Sequence, residues 1–345
     1  MDTVTDKVAV IFGGTGFIGS YLADLLLRDR GFSKVFLVDL QAIEEKPFAF
    51  RKELVRRHGA AIQYIRADVR SPIDWFPEDR IHLVANFAAV HREPGHEDVE
   101  YFETNLSGAR HVCAWAEKVG CAEIIFTSSI SPYGVSEAEK DERTMTVPVT
   151  AYGSSKLAAE EIHRTWQAAD PVRRLLTIVR PGVVFGAGEG GNVSRLVRAV
   201  SSGYFLYMGN RGTRKAGIYV KELCEAMLWV LDRQRTTSAP VALFNASMNP
   251  GPSISEYVNA VVRVSGRRAV VPNVPYRLLL AVSYVIDAVA KPLRIAHPFS
   301  PVRIRKLVRS NNVLPRYLTE NGYVYRYTLD SAMQDWRSEC PAEWR

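Results

Sequence analysis

Short apolar runs rich in β-branched residues recur along the first half of the chain, with amphipathic stretches between them. The runs at 7–12, 34–38, 61–66, 81–87, 123–126 and 175–179 predict buried strands. The stretches at 20–28, 106–119 and 154–168 have the apolar spacing of helices. Because strands alternate with helices, we predict an α/β fold with a Rossmann-type doubly wound parallel sheet, which binds ligands at the carboxyl ends of its strands.

The second half of the chain favours helices, at 194–200, 253–264 and 276–290. We predict a sheet domain over residues 1–180, rejoined at about 216–248, and a smaller, mostly helical substrate-binding lobe over about 181–215 and 249–345. The active site is expected in the cleft between them. No apolar run reaches the roughly 18 residues of a membrane span, and no basic segment precedes an apolar core at the amino end, so we expect no signal peptide.

A glycine-rich loop, Gly13-Gly14-Thr15-Gly16-Phe17-Ile18-Gly19, joins the first strand to the first helix. Glycines at these positions let the backbone approach a diphosphate, which the N–H groups at the helix amino terminus would bind. Asp39 ends the second strand, 20 residues after Gly19. A carboxylate there accepts hydrogen bonds from ribose hydroxyls and repels a 2′-phosphate. The sequence therefore predicts a dinucleotide cofactor, with NAD favoured over NADP.

Tyr152 and Lys156 lie four residues apart in the predicted helix at 154–168 and its approach, so they share one face. An ammonium beside a phenol stabilises the phenolate and makes the tyrosine a usable base near neutral pH. Ser129, at the end of a neighbouring strand, is placed to hydrogen-bond the same substrate oxygen. These three residues are the candidate catalytic group.

With these motifs the chain resembles the extended short-chain dehydrogenases/reductases of the NAD-dependent epimerase/dehydratase family, whose members mostly act on nucleotide sugars. The resemblance runs from about residue 7 to about residue 246. It implies that Tyr152 is the general acid/base, that Lys156 positions the nicotinamide ribose, and that Ser129, or Ser128 if the register slips, orients the reacting hydroxyl. It also implies further cofactor contacts at Asp68, Val69, Ala88, Ala89, Asn105, Pro181 and Val183.

The strand end at Ser128-Ser129-Ile130 separates branches of that family. Nucleotide-sugar 4,6-dehydratases carry an acidic pair there, and this chain has none. We therefore expect an NAD-dependent nucleotide-sugar epimerase that acts at C4 through a transient 4-keto sugar, in polysaccharide biosynthesis. Two alternatives stay open: an NAD(P)H-dependent reductase of 4-keto-sugar nucleotides, and a dehydrogenase of sterol or lipid-linked hydroxyls.

Five residues are candidates for contact with a nucleotide-diphosphate sugar. His91 and Arg92 lie in a charged loop after Ala89, where the family lines its sugar pocket; a solvated charged loop is the alternative. Asn192 stands where relatives hold the diphosphate. Arg214 and Lys215 share the segment that normally supplies a cation to the diphosphate, and the sequence does not decide between them.

Composition is that of an ordinary globular protein, with 345 residues, 47% hydrophobic and 23% charged. The four cysteines are far apart, which fits a reducing cytoplasm and offers no metal or disulfide pattern. Net charge is +7, and residues 288–319 hold seven cations and no acid. Beside the apolar helix, this charge favours either a solvated cap or peripheral membrane contact through 276–316. We expect no nucleic-acid partner and no metal, and the family implies a homodimer through residues 106–119 and 154–168.

Overall fold

The computed structural model describes residues 6–91, 95–134, 137–208, 210–266, 271–291 and 310–345. The strands are β1 (Lys7–Phe12), β2 (Phe32–Asp39), β3 (Ile62–Arg66), β4 (Ile81–Asn86), β5 (Glu123–Thr127), β6 (Leu175–Pro181), β7 (Val183–Phe185), β8 (Tyr207–Met208), β9 (Gly217–Tyr219), β10 (Val241–Ala246) and β11 (Asn273–Val274). The helices are α1 (Phe17–Asp29), α2 (Ala49–Arg56), α3 (Asp98–Lys118), α4 (Ala151–Ala168), α5 (Asn192–Ser201), α6 (Val220–Thr237), α7 (Ile254–Ser265), α8 (Tyr276–Ala290), α9 (Arg316–Glu320) and α10 (Leu329–Glu339).

Seven parallel strands form the central sheet, in the order β10-β6-β5-β4-β1-β2-β3. The order reverses at β1, so β1 and β4 flank a crevice at their carboxyl ends. Successive residues of β1 serve opposite faces: Ile11 packs with α1 and α6, whereas Phe12 packs with α3 and α4. The predicted doubly wound parallel sheet is confirmed.

A smaller set of elements gathers beyond the end of β6. Strand β7 pairs with β9 and strand β8 with β11, in two short parallel ribbons. Apolar side chains of α5, α7 and α10 join the same core cluster as those of α6, so the two predicted lobes share one core. The predicted division into lobes stays a prediction.

Several predicted helices differ from the observed ones at their amino ends. Helix α3 begins at Asp98 rather than residue 106, and α5 begins at Asn192 rather than residue 194. The residues gained by α3 mix Val99, Tyr101 and Phe102 with acidic and polar side chains, which interrupts the apolar periodicity from which that helix was predicted. In the described ranges no helix has the length and apolar character needed to cross a bilayer.

Candidate active site

The loop between β1 and α1 turns so tightly that its glycines leave no room for side chains. Gly13 has a φ of +75°, and a Cβ there would lie 2.7 Å from the backbone nitrogen of Ala88. A Cβ on Gly19 would lie 2.7 Å from the carbonyl oxygen of Gly13. Helix α1 then begins at Phe17 with Gly16 as its N-cap, and no side chain caps it. The N–H groups at this amino terminus, including that of Ile18, are thus available to a diphosphate.

Asp39 ends β2 beside that loop, and its carboxylate is held from three sides. Thr15 Oγ1 donates to it at 2.7 Å, the backbone N–H of Leu40 donates at 2.8 Å, and Lys46 Nζ lies 3.8 Å away. Thr15 also donates to the carbonyl of Gln41 at 2.9 Å, which fixes the loop after β2. The predicted ribose acid and the glycine loop are therefore joined in one rigid unit.

Asp68 and Val69 follow β3, as the resemblance implies, but both already have partners. Arg70 Nη2 lies 2.6 Å from the Asp68 carboxylate, and this bond lowers the pKa of that carboxyl group. The carbonyl of Val69 lies 2.8 Å from Nδ1 of His111, and its side chain packs on α3. The pair stands at the edge of the sheet beside the end of β2, where an adenine ring would lie.

Asn105 has a positioning role that sequence alone did not suggest. Its amide is buried, with Oδ1 accepting from the backbone N–H of Val90 at 3.0 Å and Nδ2 donating to Ser155 Oγ at 2.9 Å. These bonds tie the chain that follows Ala88 and Ala89 to helix α4. Asn105 therefore sets the distance between the predicted diphosphate strand and the catalytic helix.

Arg51 of α2 was missed by sequence reasoning, because one arginine in a short helix carries no recognisable signal. It is only 5% exposed, its guanidinium stacks 3.9 Å from the Phe48 ring centroid, and its Nε has no hydrogen-bond partner. Burial lowers the pKa of Arg51 to about 10, opposed by charges on Tyr21 and Asp39. A buried guanidinium nitrogen without an acceptor is costly, so Arg51, which lies against Gly188, would be stabilised by an anion bound next to it.

Helix α4 presents the candidate catalytic tyrosine in its first turn. Thr150 caps the helix by accepting from the backbone N–H of Gly153 at 3.1 Å. Tyr152 follows, with its ring 5.9 Å from that of Tyr101 on α3. Lys156 lies one turn further on, so the predicted spacing holds on an observed helix.

Ser129 lies just beyond β5, in a turn that packs on the start of α4. Its Oγ accepts from the backbone N–H of Ser131 at 3.1 Å and donates to Ser131 Oγ at 3.2 Å. A Cβ on Gly153 would lie 2.9 Å from the carbonyl oxygen of Ser131, so this turn contacts the backbone next to Tyr152. Ile130 donates to the carbonyl of Pro181 at 3.2 Å, which brings the end of β6, and Val183 after it, to the same edge.

Lys156 is 3% exposed, with Nζ 4.7 Å from the centroid of the Phe126 ring. Burial lowers the pKa of this ammonium to about 7, and the nearby charge of Glu160 opposes that shift. A cation held at this threshold gains or loses its proton readily near neutral pH.

Beneath Lys156, Glu160 and Arg180 form a buried ion pair. Arg180 donates to both carboxylate oxygens, at 2.8 and 2.6 Å, and its guanidinium lies 4.9 Å from the Tyr133 ring centroid. Ser128 Oγ also donates to Glu160, at 2.5 Å. The hydroxyl of Ser128 thus faces this buried pair, whereas that of Ser129 bonds only to the neighbouring Ser131 among the described residues; Ser129 as the substrate serine stays a prediction.

The predicted diphosphate residue Asn192 is the first residue of α5 and is exposed. Glu189 already caps this helix, accepting from the backbone N–H of Ser194 at 2.7 Å and from its hydroxyl at 2.6 Å. The Asn192 side chain, 3.3 Å from Arg195 Nη1, is therefore better placed than the helix terminus to meet a phosphate.

Arg214 and Lys215 differ in their surroundings. The Arg214 guanidinium donates to the carbonyl of Gly251, whereas burial lowers the pKa of Lys215. A desolvated ammonium is stabilised most by an incoming anion, which favours Lys215 as the diphosphate cation. His91 is exposed beyond the end of β4, and Arg92 lies outside the described residues.

Together these groups suit a hydroxyl oxidation beside a bound dinucleotide. The glycine cradle, the uncapped start of α1 and the unpartnered Arg51 fit the diphosphate of NAD, and Asp39 fits its ribose. Across the described part of the chain, no three His, Cys, Asp or Glu side chains are grouped as metal ligands would be. The chemistry on offer is proton transfer by Tyr152, tuned by Lys156, next to a hydride acceptor.

Comparison with known families gives one family match. The model described as "NAD dependent epimerase/dehydratase family" matches residues 9–244, which include the glycine loop and the tyrosine helix.

Among curated proteins, the chain is 27% identical over 330 residues to an N-acetyl-α-D-glucosaminyl-diphospho-ditrans,octacis-undecaprenol 4-epimerase of Escherichia coli O157:H7, covering 96% of this chain and 94% of that protein. It is 28% identical over 294 residues to a UDP-glucose 4-epimerase of Bacillus subtilis, covering 78% and 84%.

Solved structures share the fold. The UDP-Glc/GlcNAc 4-epimerase of Campylobacter jejuni has a TM-score of 0.71 at 19% identity, covering 97% of this chain and 100% of that one. The Thermus thermophilus UDP-glucose 4-epimerase in complex with NAD has a TM-score of 0.67 at 22% identity, covering 96% and 98%. With the family match, these findings confirm the predicted family resemblance and the NAD cofactor.

Proposed function

Because the chain belongs to the NAD dependent epimerase/dehydratase family, we propose that it is an NAD-dependent 4-epimerase of hexoses carried on a diphosphate, with nucleotide sugars as substrates. The observation that carries this proposal is the placement of Ser129 and Tyr152 around one edge of the sheet, with Lys156 buried beside them and no carboxylate at the end of β5. This set supports oxidation and reduction at one carbon and lacks the acids needed for dehydration.

In this proposal the phenol oxygen of Tyr152 takes the proton of the C4 hydroxyl and later returns it. The Lys156 ammonium stabilises the phenolate, and the Ser129 hydroxyl donates a hydrogen bond to the C4 oxygen. NAD, when bound, supplies the acceptor for the C4 hydrogen and its return to the opposite face. Between the two transfers the sugar is a 4-ketone, and the chain must hold its diphosphate while the ring turns.

Asn192 and Lys215 are proposed to hold that diphosphate. Both lie in segments that follow β6 and precede β9; burial lowers the pKa of Lys215, while the Arg214 guanidinium already donates to the carbonyl of Gly251. The chain should bind the sugar ring itself only loosely, because the ring must turn to expose either face of C4 to the nicotinamide.

A lipid in place of the nucleoside is a second candidate. The E. coli relative, matched over nearly its whole length, is named for a sugar on undecaprenyl diphosphate. A 4-keto-sugar reductase is the other alternative, and stoichiometric consumption of added NAD(P)H would identify it.

We also propose a cytoplasmic homodimer in polysaccharide biosynthesis. Half-buried Leu106 of α3 and Leu157 of α4 support a paired surface on these two adjacent helices. Light scattering on the purified chain tests this assembly, and a monomer at micromolar concentration would contradict it.

The decisive experiment compares the Tyr152→Phe variant with wild type on UDP-glucose and UDP-N-acetylglucosamine, following appearance of the 4-epimer. We expect turnover to fall by about 10²–10⁴-fold, because the general acid/base is lost, while retained NAD is unchanged. A matched control is Tyr204→Phe, which removes an exposed hydroxyl. An active Tyr152→Phe variant would overturn the assignment of the base.

A further inference from the structure

Helix α8 exposes large apolar side chains that a helix of a water-soluble protein usually buries. Leu278, Val282, Val285 and Val289 recur at helical spacing, and their exposed fractions are 56%, 48%, 64% and 59%. Ala281 and Ala288 lie between them and are also exposed. The helix therefore carries a continuous apolar stripe that faces outward, which we call the α8 stripe.

The inward side of α8 holds the half-buried Leu279, Leu280 and Ile286. Its most buried residues are Ser283 and Ala290, at 1% and 6% exposure. A soluble helix hides its branched aliphatic residues and leaves small or polar ones outside. Helix α8 is thus apolar on both sides, and among the described residues nothing covers the outward stripe; exposed apolar patches of this kind mark interaction surfaces.

A second exposed apolar segment lies next to the start of α8 through strand pairing. Strand β11 ends two residues before α8 and pairs with β8, and the segment leading into β8 exposes Tyr204 at 63% and Leu206 at 40%. That segment follows α5, whose first residue is Asn192, the candidate diphosphate residue. A stretch of 15 residues thus links the diphosphate position to the apolar surface.

Charge identifies the partner of this surface. The chain has 44 Lys and Arg against 37 Asp and Glu, a net charge of +7, and residues 288–319 hold seven cations without an acid. The remaining sequence is therefore balanced, and the whole positive excess follows directly on α8. Arg277 adds an exposed cation in its first turn. An apolar stripe followed in the sequence by a block of cations matches a surface that is both apolar and anionic.

We propose that α8 lies in the plane of an anionic lipid bilayer surface, with the α8 stripe at the boundary of the acyl chains. This deepens the proposed function and rests on it for the substrate: docking would present the sugar site to a diphosphate whose other substituent is a membrane lipid. At 15 residues, α8 is suited to lie on the bilayer rather than to cross it.

The test is flotation of the purified full chain with phosphatidylcholine vesicles that contain phosphatidylglycerol. Wild type is expected to float with these vesicles, and more weakly with phosphatidylcholine alone or at high salt. The triple variant Val282→Ser, Val285→Ser, Val289→Ser is expected to bind at least tenfold more weakly, because each buried valine contributes substantially to partitioning. A triple variant that floats like wild type would overturn the proposal.

The matched control is Val147→Ser, Val172→Ser, Val324→Ser, three exposed valines outside α8, which should float like wild type. Light scattering of wild type and both variants shows whether a second copy occupies the stripe instead. A wild-type oligomer that dissociates in the α8 variant, without vesicle binding by wild type, would overturn lipid docking.

Turnover of UDP-glucose in vesicle-free buffer separates the two proposals. Activity retained in the α8 variant shows that the site is intact and that only docking is lost. If the wild-type chain binds vesicles but has no epimerase activity, the docking proposal is supported and the proposed function is contradicted.

Discussion

Helices α4 and α8 both depart from the rule that polar side chains face water and apolar ones face the core, and they depart in opposite directions. Helix α4 buries Lys156, Glu160 and His163, whereas α8 exposes Leu278 and the valines of its stripe. In α4 these groups meet partners inside the chain: Lys156 lies over the Phe126 ring, Glu160 binds Arg180 and Ser128, and His163 contacts the carbonyl of Ala159 and the amide of Asn86.

The difference shows where to look for function. The polar groups of α4 are costly to bury, and under the proposed function they support the helix that carries Tyr152. For the apolar groups of the α8 stripe, the described residues offer no comparable partners. Buried polar groups that have partners within the chain therefore indicate a functional site. Exposed apolar groups without such partners indicate a surface that contacts another molecule.

The largest expected effect concerns the ion pair under the catalytic lysine. Glu160→Gln removes one charge and leaves Arg180 buried without its partner, so we expect the free energy of unfolding to fall by about 3–5 kcal/mol. Urea denaturation measures it. Glu161→Gln, at the next and exposed position, should change stability by less than about 0.5 kcal/mol. Equal unfolding free energies for the two variants would show that the Glu160–Arg180 pair does not stabilise the fold.

A second effect is pH dependence from His163. Burial lowers the pKa of His163 to about 4, from an ordinary value of 6.5, so the unfolded state binds more protons between these values. Stability is present above the unfolded pKa and is lost as pH falls, by about 2 kcal/mol between pH 7 and pH 5. Thermal unfolding of His163→Gln at both pH values should show a smaller decline than wild type. If the variant loses as much stability as wild type between pH 7 and pH 5, then other titrating groups cause the decline.

A third effect separates binding from stability. Arg51→Met removes a buried guanidinium that lacks an acceptor, so we expect NAD to bind about tenfold more weakly, or about 1.4 kcal/mol, with unfolding free energy unchanged or higher. Arg56→Met, on an exposed side of the same helix, is the control. Fluorescence titration measures the NAD affinity of both variants. Equal affinities would show that Arg51 does not contribute to the cofactor site.

The smallest effect is on the stability of α8. Val285→Ser should change the free energy of unfolding by less than about 0.5 kcal/mol, because its side chain is already in water. Val258→Ser in α7, where the valine is 1% exposed, should cost about 2 kcal/mol or more. A large loss at Val285 would mean that the stripe packs within the chain, and the comparison with α4 would fail.

Sequence alone predicted the parts of the molecule that local pattern determines. The glycine loop, Asp39 and the pair Tyr152 and Lys156 are short motifs tied to a strand or a helix, so spacing was enough. Arg51 and the pair of Glu160 with Arg180 were missed, because contacts across separate elements leave no periodic trace. Strands β8 and β11, of two residues each, are too short for a pattern to reveal.

Glu142 precedes helix α4, and its carboxylate accepts hydrogen bonds from backbone groups that are far away in the sequence. It accepts from the backbone N–H of Asn245, 103 positions away, and from those of Arg316 and Tyr317, 174 and 175 positions away. During refolding, contacts that close such long loops form late. We therefore expect the segment that leads into Tyr152 to settle last, so that regained helicity precedes regained turnover in time.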